Sequence, residues 1–442
     1  MRKTLRSLLS IMASPKSPAR PSSTVSHPIP PKMVPIPANG VDYRNKVVLA
    51  PMVRSGELPN RLLALKYGAD LVWGPETVDR SMIGTTRKYN PDTGTIDFSR
   101  RSSNMDNLPA EKQRESVIFS LHPEREKGKL IFQLGTAKPE TAVAAAKLVA
   151  QDVAGIDVNS GCPKPFSTLG GMGAALLKDP DRLCAILEAL VKEIGVPHQI
   201  GISVKIRLLE TSSDTESLVT RLVQTGITGL TIHCRTTPMR PRERAIRDQL
   251  SMIGNICRAH GVACLMNGDV ASRSEALDLA SQYGVDGGMI ATAAEKNPSV
   301  FRPISSTSSG LAPWTETSSE YLREAISVHN KWGNTKFTLA QLIPGREAVG
   351  KLIQGAKTYT EAVEALGMEE ELGERAGELD RRLGLDERVE RMKREVAERE
   401  ARVQAGRERE RNKVRGKRKR SAEEGDGERR QERRAVGAVM AG

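Results

Sequence analysis

The sequence predicts an α/β chain built on a (β/α)8 TIM barrel, followed by a small helical domain and flanked by termini that are disordered or charged-helical. Three observations predict it. From Val47 onward, eight short apolar runs alternate with amphipathic helical patterns, the mark of βα units and a parallel sheet. Eight such units fit the roughly 250 residues that a closed barrel of this kind takes. The first run ends in Ala50-Pro51-Met52-Val53, which is no Gly-rich phosphate turn, so the competing doubly wound open sheet is set aside.

Residues 1–40 form a basic segment of Ser, Pro and Arg without acids, too polar to pack a core and expected to be disordered. Its start, with Arg2, Lys3 and Arg6 around Leu5, Leu8 and Leu9, is also the composition of a mitochondrial transit peptide. The barrel is expected over 41–303, with strands at 46–51, 70–74, 129–134, 155–159, 200–207, 229–234, 263–267 and 286–291. Helices are expected at 59–67, 139–151, 180–194, 215–225, 247–260 and 273–283. Several of these end at a glycine, namely Gly68, Gly195, Gly226, Gly261 and Gly284, as helix C-termini often do. Asp179-Pro180 supplies an N-cap followed by proline at the first helical position. The long polar connection from 77 to 128 reads as an irregular excursion over the barrel mouth. A Ser/Thr-rich linker covers 304–319, a helical domain 320–385, and a densely charged basic tail 386–442.

Composition narrows the function. The five cysteines are scattered with no CxxC pair, which excludes a disulfide framework and a zinc cluster and points to a reducing compartment. No apolar run approaches the roughly 18–20 residues of a spanning helix. The net charge of +13 sits at the ends: residues 1–41 hold six Lys/Arg and no acid, and 386–434 hold nineteen Lys/Arg against thirteen acids. Basic ends around a nearly neutral body favour a polyanion, bound through counterion release. The run Lys413–Arg420 suits RNA contact or nuclear import.

The strand ends collect polar chemistry where a barrel places its active site. Gly155-Ile156-Asp157-Val158-Asn159-Ser160-Gly161-Cys162-Pro163-Lys164 is a strand that breaks at a glycine and presents one cysteine in a turn. Gln133, Lys205, Arg207, His233 and Arg235 fall at other strand ends. Alone, Lys205 reads rather as snorkelling from the rim and His233 as satisfying a buried carbonyl; their co-location at successive strand ends reverses that. Together, Gln133, Asn159, Lys205 and His233 would surround a flat, polar heterocycle. Asn267-Gly268 and Gly287-Gly288 would let backbone N–H groups approach a phosphate after strands seven and eight.

With these motifs in order, the chain resembles the tRNA-dihydrouridine synthase family, and within it the eukaryotic group acting on position 20 of the D-loop. The matching pieces are Ala50-Pro51-Met52-Val53-Arg54, the Asp157–Lys164 stretch, Gly170-Gly171-Met172-Gly173-Ala174-Ala175-Leu176-Leu177, Val204-Lys205-Ile206-Arg207, His233-Cys234-Arg235-Thr236, Asn267-Gly268-Asp269 and Gly333-Asn334-Thr335-Lys336-Phe337. The likeness covers roughly residues 40–355. It implies an oxidoreductase that uses FMN, with NADPH as reductant, to reduce the C5–C6 double bond of a tRNA uridine. Carried over by motif, Cys162 would be the general acid. Pro51, Met52, Gln133, Lys205, His233, Asn267, Gly268, Asp269, Ala291 and Thr292 would line the FMN. Asn159, Lys164, Arg207 and Arg235 would meet the substrate.

Departures from the family pattern are Thr292 where an arginine is usual, Leu169 for a lysine, and Lys296 for an aromatic residue. They keep two other readings open: a tRNA-binding homologue with impaired catalysis, and a small-molecule flavin oxidoreductase. The expected protein is a cytoplasmic monomer bound to tRNA, with no metal and no membrane; nuclear or mitochondrial import are the alternative destinations.

Overall fold

Eight parallel strands close on themselves around a plugged interior. The computed structural model describes residues 36–101, 115–240, 242–303 and 310–439. The barrel strands are β1 (Lys46–Leu49), β2 (Leu71–Trp73), β7 (Leu130–Gly135), β8 (Gly155–Ser160), β9 (Gly201–Arg207), β10 (Gly229–His233), β11 (Ala263–Asn267) and β12 (Gly287–Ile290). Each pairs in parallel with the next, β12 returns to β1, and β2 closes the ring on β7 through Val72 opposite Leu130. A two-residue strand β3 (Thr77–Val78) extends the edge of β7.

The period-two pattern of the strands explains the two cores. Even-numbered residues such as Val72, Phe132, Ile156, Val158, Val204, Ile232 and Met266 pack outward against the helices. Odd-numbered Leu71, Trp73, Ile131, Leu265 and Met289 fill the barrel, together with Tyr43 and with Val48 of β1, where the even positions face in. Tyr43 plugs the N-terminal end: a Cβ on Gly155 would lie 2.9 Å from its hydroxyl, and one on Gly229 the same distance from its ring. The far end stays open, and there the odd positions turn polar: Gln133, Asn159, Lys205, His233, Asn267.

The helices lie close to the expected spans, at Leu58–Lys66, Pro139–Val149, Pro180–Leu190, Ser212–Leu222, Leu250–Ala259 and Arg273–Tyr283. Asp179 caps its helix by accepting from the Arg182 amide at 3.2 Å. Gly195 is a correction: it keeps right-handed helical geometry in a π-turn, and Gln199 takes the left-handed position instead.

The described part of the 77–128 connection, which leaves out 102–114, is not irregular. It holds β4 (Thr86–Asn90), β5 (Thr95–Arg101) and β6 (Glu115–Leu121), an antiparallel sheet. Ile96, Phe98 and Phe119 turn inward, and Phe119 meets Phe132 edge-on at 4.9 Å, pinning the sheet to the barrel wall. Fully buried Arg61 ties it down further, pairing with Glu126 at 2.7 Å and donating to the carbonyls of Gly56 and Ser120.

The helical domain begins earlier than its composition suggests. Helix Trp314–Ser327 starts inside the segment read as a linker, followed by Trp332–Leu342, Ala348–Gly355, Tyr359–Ala365 and Glu369–Leu383. Arg125 grips Glu324 through two hydrogen bonds of 2.7 and 2.6 Å, and Lys66 reaches Glu320 at 2.5 Å, so the domain is docked on the barrel. The charged tail forms one helix, Leu385–Val439. The transit-peptide-like start and linker positions 304–309 lie outside the described residues. Among the described residues no helix is long and apolar enough to cross a membrane.

Candidate active site

The open end of the barrel holds a cavity of about 340 Å³. Of the expected site residues it gathers Pro51, Gln133, Asn159, Cys162, Lys205, Arg207, His233, Arg235, Asn267, Gly268, Asp269, Ala291 and Thr292. Met52 and Lys164 are not in its wall. Met52 packs against the outer core, and Lys164 is exposed on the rim.

The Cys162 turn is held from three sides. Asn159, at the end of β8, uses one side-chain oxygen to accept from the amides of Gly161 and Cys162, both at 3.0 Å. Arg207, at the end of β9, donates from Nε to the Gly161 carbonyl at 2.7 Å and from its terminal nitrogen to the Thr236 carbonyl at 3.0 Å. Behind the turn, the Ala174 amide donates to the Cys162 carbonyl at 2.9 Å. The Gly-Gly-Met-Gly run makes this last contact possible. Gly173 has φ +59°, and a Cβ there would lie 2.4 Å from Ser167 Oγ and 2.5 Å from the Cys162 carbonyl oxygen.

Burial raises the Cys162 thiol above its ordinary pKa; the Lys164 amide opposes this, the Glu76 carboxylate adds to it, and Arg207 opposes it most weakly. The thiol is therefore protonated at neutral pH, the state a proton donor needs. Glu76 was not anticipated, although Gly74-Pro75-Glu76 follows the second strand end, the same position that marked the others. Ser167 Oγ donates to its Oε1 at 3.1 Å. Burial raises the Glu76 carboxyl, with hydrogen bonds from Ser167, Cys162 and Asn159 pulling it partly back.

Across the mouth, Lys205 Nζ finds no hydrogen-bond partner among the described residues, and loss of hydration with repulsion from Arg207 lowers it to about 8. His233 is pushed down to about 2 by burial and by Lys205, Arg207 and Arg235, so it is neutral. Below them lies Asp157, raised to about 6 by burial and steadied by Gln133 Nε2 at 2.8 Å and Ser203 Oγ at 2.7 Å. The Asp157 bond fixes Gln133 so that its oxygen is left for the cavity. In the same way Asn267 Nδ2 is spent on the Met289 carbonyl at 2.8 Å, leaving its oxygen.

The 267–269 turn is braced by a residue that sequence reasoning missed. Arg247 donates to the carbonyls of Gly268 at 3.0 Å and Asp269 at 2.8 Å. The Asp269 carboxylate is itself taken, by Arg235 at 2.5 Å and the Ala245 amide at 2.7 Å. Arg235 and Asp269 therefore build the rim as a pair. Gly287-Gly288 is a second correction: it begins β12 at the plugged end, far along the strand from the mouth. A Cβ would meet the Lys46 carbonyl oxygen at 2.2 Å or Ala276 Cβ at 2.7 Å, so these glycines serve packing.

The wall fits a flat heterocycle. Ala50, Pro51, Met289 and Ala291 give an apolar surface, Gln133 and Asn267 give oriented acceptors, and Lys205 gives an uncommitted cation. Beside the mouth, Arg54 of the first motif lies 5.3 Å over the ring of Phe337, which brings the motif of the helical domain to the barrel rim. Among the described residues no group of His, Cys, Asp or Glu is arranged to hold a metal ion.

The sequence profile of the family described as Dihydrouridine synthase (Dus) matches residues 48–376. The chain is 52% identical over 337 residues to a Schizosaccharomyces pombe protein named tRNA-dihydrouridine(20) synthase [NAD(P)+], covering 74% of this chain and 66% of that one. It is 47% identical over 309 residues to the Saccharomyces cerevisiae protein of the same name, covering 69% and 79%. Identity falls to 27% over 267 residues with the S. pombe tRNA-dihydrouridine(20a/20b) synthase, covering 60% and 70%.

Proposed function

The chain belongs to the dihydrouridine synthase family, and from that premise we propose that it reduces the C5–C6 double bond of uridine 20 in the tRNA D-loop, with FMN as its flavin and NADPH as reductant. The observation that carries this reading is a neutral thiol, Cys162, held rigidly at the mouth of a cavity whose wall suits a flavin ring. The greater likeness to relatives named for position 20 than to one named for 20a/20b supports the choice of uridine.

A bound flavin supplies the hydride that such a reduction needs. The protein's own groups do the rest. Cys162 donates the proton that C5 must gain, and its raised pKa keeps that proton in place until the base arrives. Asn159 and Arg207 set the height of the thiol by holding its turn. Lys205 offers positive charge where negative charge develops on the cofactor side of the cavity. A base in folded tRNA must be extruded to reach the cavity, at a cost of a few kcal/mol. Contacts from Arg and Lys on the rim, the helical domain and the tail offset that cost.

Mapping dihydrouridine by mass spectrometry in tRNA from cells lacking the gene tests the proposal. Loss at position 20, restored by the intact gene and not by Cys162→Ala, is the expected result. Unchanged dihydrouridine at that position would overturn it. Purified protein that shifts tRNA on a gel yet takes up no flavin would favour the impaired homologue.

A further inference from the structure

Glu76 is a buried carboxyl at the active mouth that the reaction above leaves without a task. It sits in the loop between β2 and β3, over the end of β7, where a Cβ on Gly135 would fall 2.6 Å from its Oε1. That packing leaves the carboxyl little room to turn away. Ser167 Oγ holds the same oxygen at 3.1 Å, and Glu76 shares the cavity wall with Cys162 and Asn159. Ser167 in turn is wedged beside Cys162 by the close approach of Gly173 to both. Thiol, carboxyl and hydroxyl thus form one contiguous group, with the carboxyl also reaching the cavity.

Resting on the function proposed above, we propose that Glu76 is a positioning residue that keeps the Cys162 thiol protonated and the relay through which the sulfur regains its proton after each turnover. When Cys162 gives its proton to C5, the S–H bond breaks, its electron pair stays on sulfur, and a C–H bond forms. As the thiolate forms beside it, the Glu76 carboxylate takes a proton from solvent water at the mouth, then passes it to sulfur, breaking O–H, forming S–H and restoring the resting carboxylate. No electrons are exchanged in these transfers.

The other groups facing the sulfur are less suited. Arg207 is spent on the carbonyls of Gly161 and Thr236, and the Lys164 amide has no labile proton. Among the described residues, Lys205 on the neighbouring strand is the competing donor. Burial outweighs the three hydrogen bonds and leaves Glu76 with a raised pKa, so that it can carry a proton closer to neutral pH than an exposed glutamate does.

The test uses the full-length holoenzyme and its Glu76→Gln variant, with two readouts. The first is the pH profile of Cys162 alkylation by iodoacetamide, which reports this thiol because Cys184, Cys234, Cys257 and Cys264 are buried. Loss of the neighbouring negative charge is expected to move the midpoint down by about one pH unit. The second is the steady-state rate of dihydrouridine formation on unmodified tRNA, set beside the two half-reactions. It is expected to fall at least about tenfold, with reduction by NADPH and the first reoxidation by tRNA unchanged. A thiol profile and tRNA-dependent rate equal to wild type would overturn the proposal and point to Lys205. Equal losses in flavin content and in both half-reactions would overturn it too, since they mark a merely structural role.

If Glu76→Gln does not fold, Ser167→Ala is read the same way. It leaves the carboxyl but frees it, and a smaller slowing of dihydrouridine formation is expected; wild-type behaviour would count against the relay. A wild-type protein that forms no dihydrouridine would remove the function itself, while the alkylation profile still decides whether Glu76 governs the thiol.

Discussion

The side-chain oxygen of Asn159 accepts from the amide of Cys162 at 3.0 Å, and from that of Gly161 at the same distance. One atom at the end of β8 therefore fixes the backbone that carries the reactive sulfur. Asn159 is buried, so no water replaces it readily. A residue expected to bind substrate has spent its carbonyl on positioning and turns its amide N–H toward Glu76.

Asn159→Ala is expected to leave two turn amides without partners, at about 1–3 kcal/mol of stability. The displaced thiol should lower the single-turnover rate on tRNA by roughly 100-fold, the scale of an ångström misplacement. Asn159→Asp keeps the acceptor and should recover most of the stability. Thermal unfolding and rapid-mixing kinetics on both variants check this. An alanine variant with wild-type turnover would remove the positioning role.

Cys162→Ala is expected to retain full flavin content and reduction by NADPH while losing about 10²–10⁴-fold in dihydrouridine formation. The thiol makes no contact on which the fold depends; the turn is held by backbone atoms of residues 161 and 162. Flavin absorbance and dihydrouridine content of the tRNA product are the measurements. Normal product formation by the alanine variant would dismiss the thiol as proton donor.

The barrel was legible because its signal is periodic and repeated. Alternate residues face inward along each strand, the odd-numbered ones in all but β1, and the polar odd residues at strand ends, from Gln133 to Asn267, fall on one rim by that rule alone. What escaped had a weaker local signature. Strands β4 to β6 carry polar residues such as Arg87, Lys88, Asp97 and Ser99 between few apolar ones, so their alternation is faint. Helix Trp314–Ser327 opens with Thr, Glu and Ser and looks like linker until its buried Tyr321 and Leu322 are seen. Gly287-Gly288 reads like a phosphate cradle, yet only the register, with Lys46 opposite Gly287, reveals which end of the strand it occupies. Arg247 acts on residues distant in sequence and no local pattern announces it, while Glu76 stands just past a strand end like the others but meets a partner, Ser167, far along the chain.

Lys205 sets a pH window. Its folded pKa of about 8 lies below its ordinary value, so its charge is present at neutral pH and is lost as pH rises through about 8. Reduction of the bound flavin by NADPH is expected to slow over that range, and Lys205→Met should be slow throughout and flat with pH. Stability should run the other way. Between about 8 and the ordinary lysine range the unfolded chain holds more protons on this residue than the folded chain, so the cofactor-free protein gains stability as pH rises. Half-reaction rates and unfolding midpoints from pH 7 to 10 test both signs. A flavin-reduction rate that holds constant across pH 8 in the wild type would separate Lys205 from that step.

The tail helix offers a different kind of contact. Leu385–Val439 is 55 residues long, roughly 80 Å at 1.5 Å per residue, and its described side chains beyond the first turns are largely exposed. Among the described side chains beyond Met392, Val396, Val403 and Val414 stand isolated among charges and form no apolar stripe with which to pack. Its excess of basic residues suits phosphates instead, bound without sequence preference. Each neutralised phosphate contributes close to one unit to the slope of log affinity against log salt. Removing residues 386–442 is therefore expected to weaken tRNA binding most at low salt and to flatten that slope by a few units. The two curves should converge as salt rises toward 300 mM. Gel-shift titrations of intact and shortened protein across 50–300 mM salt measure this directly, and identical slopes would show that the tail stays off the tRNA.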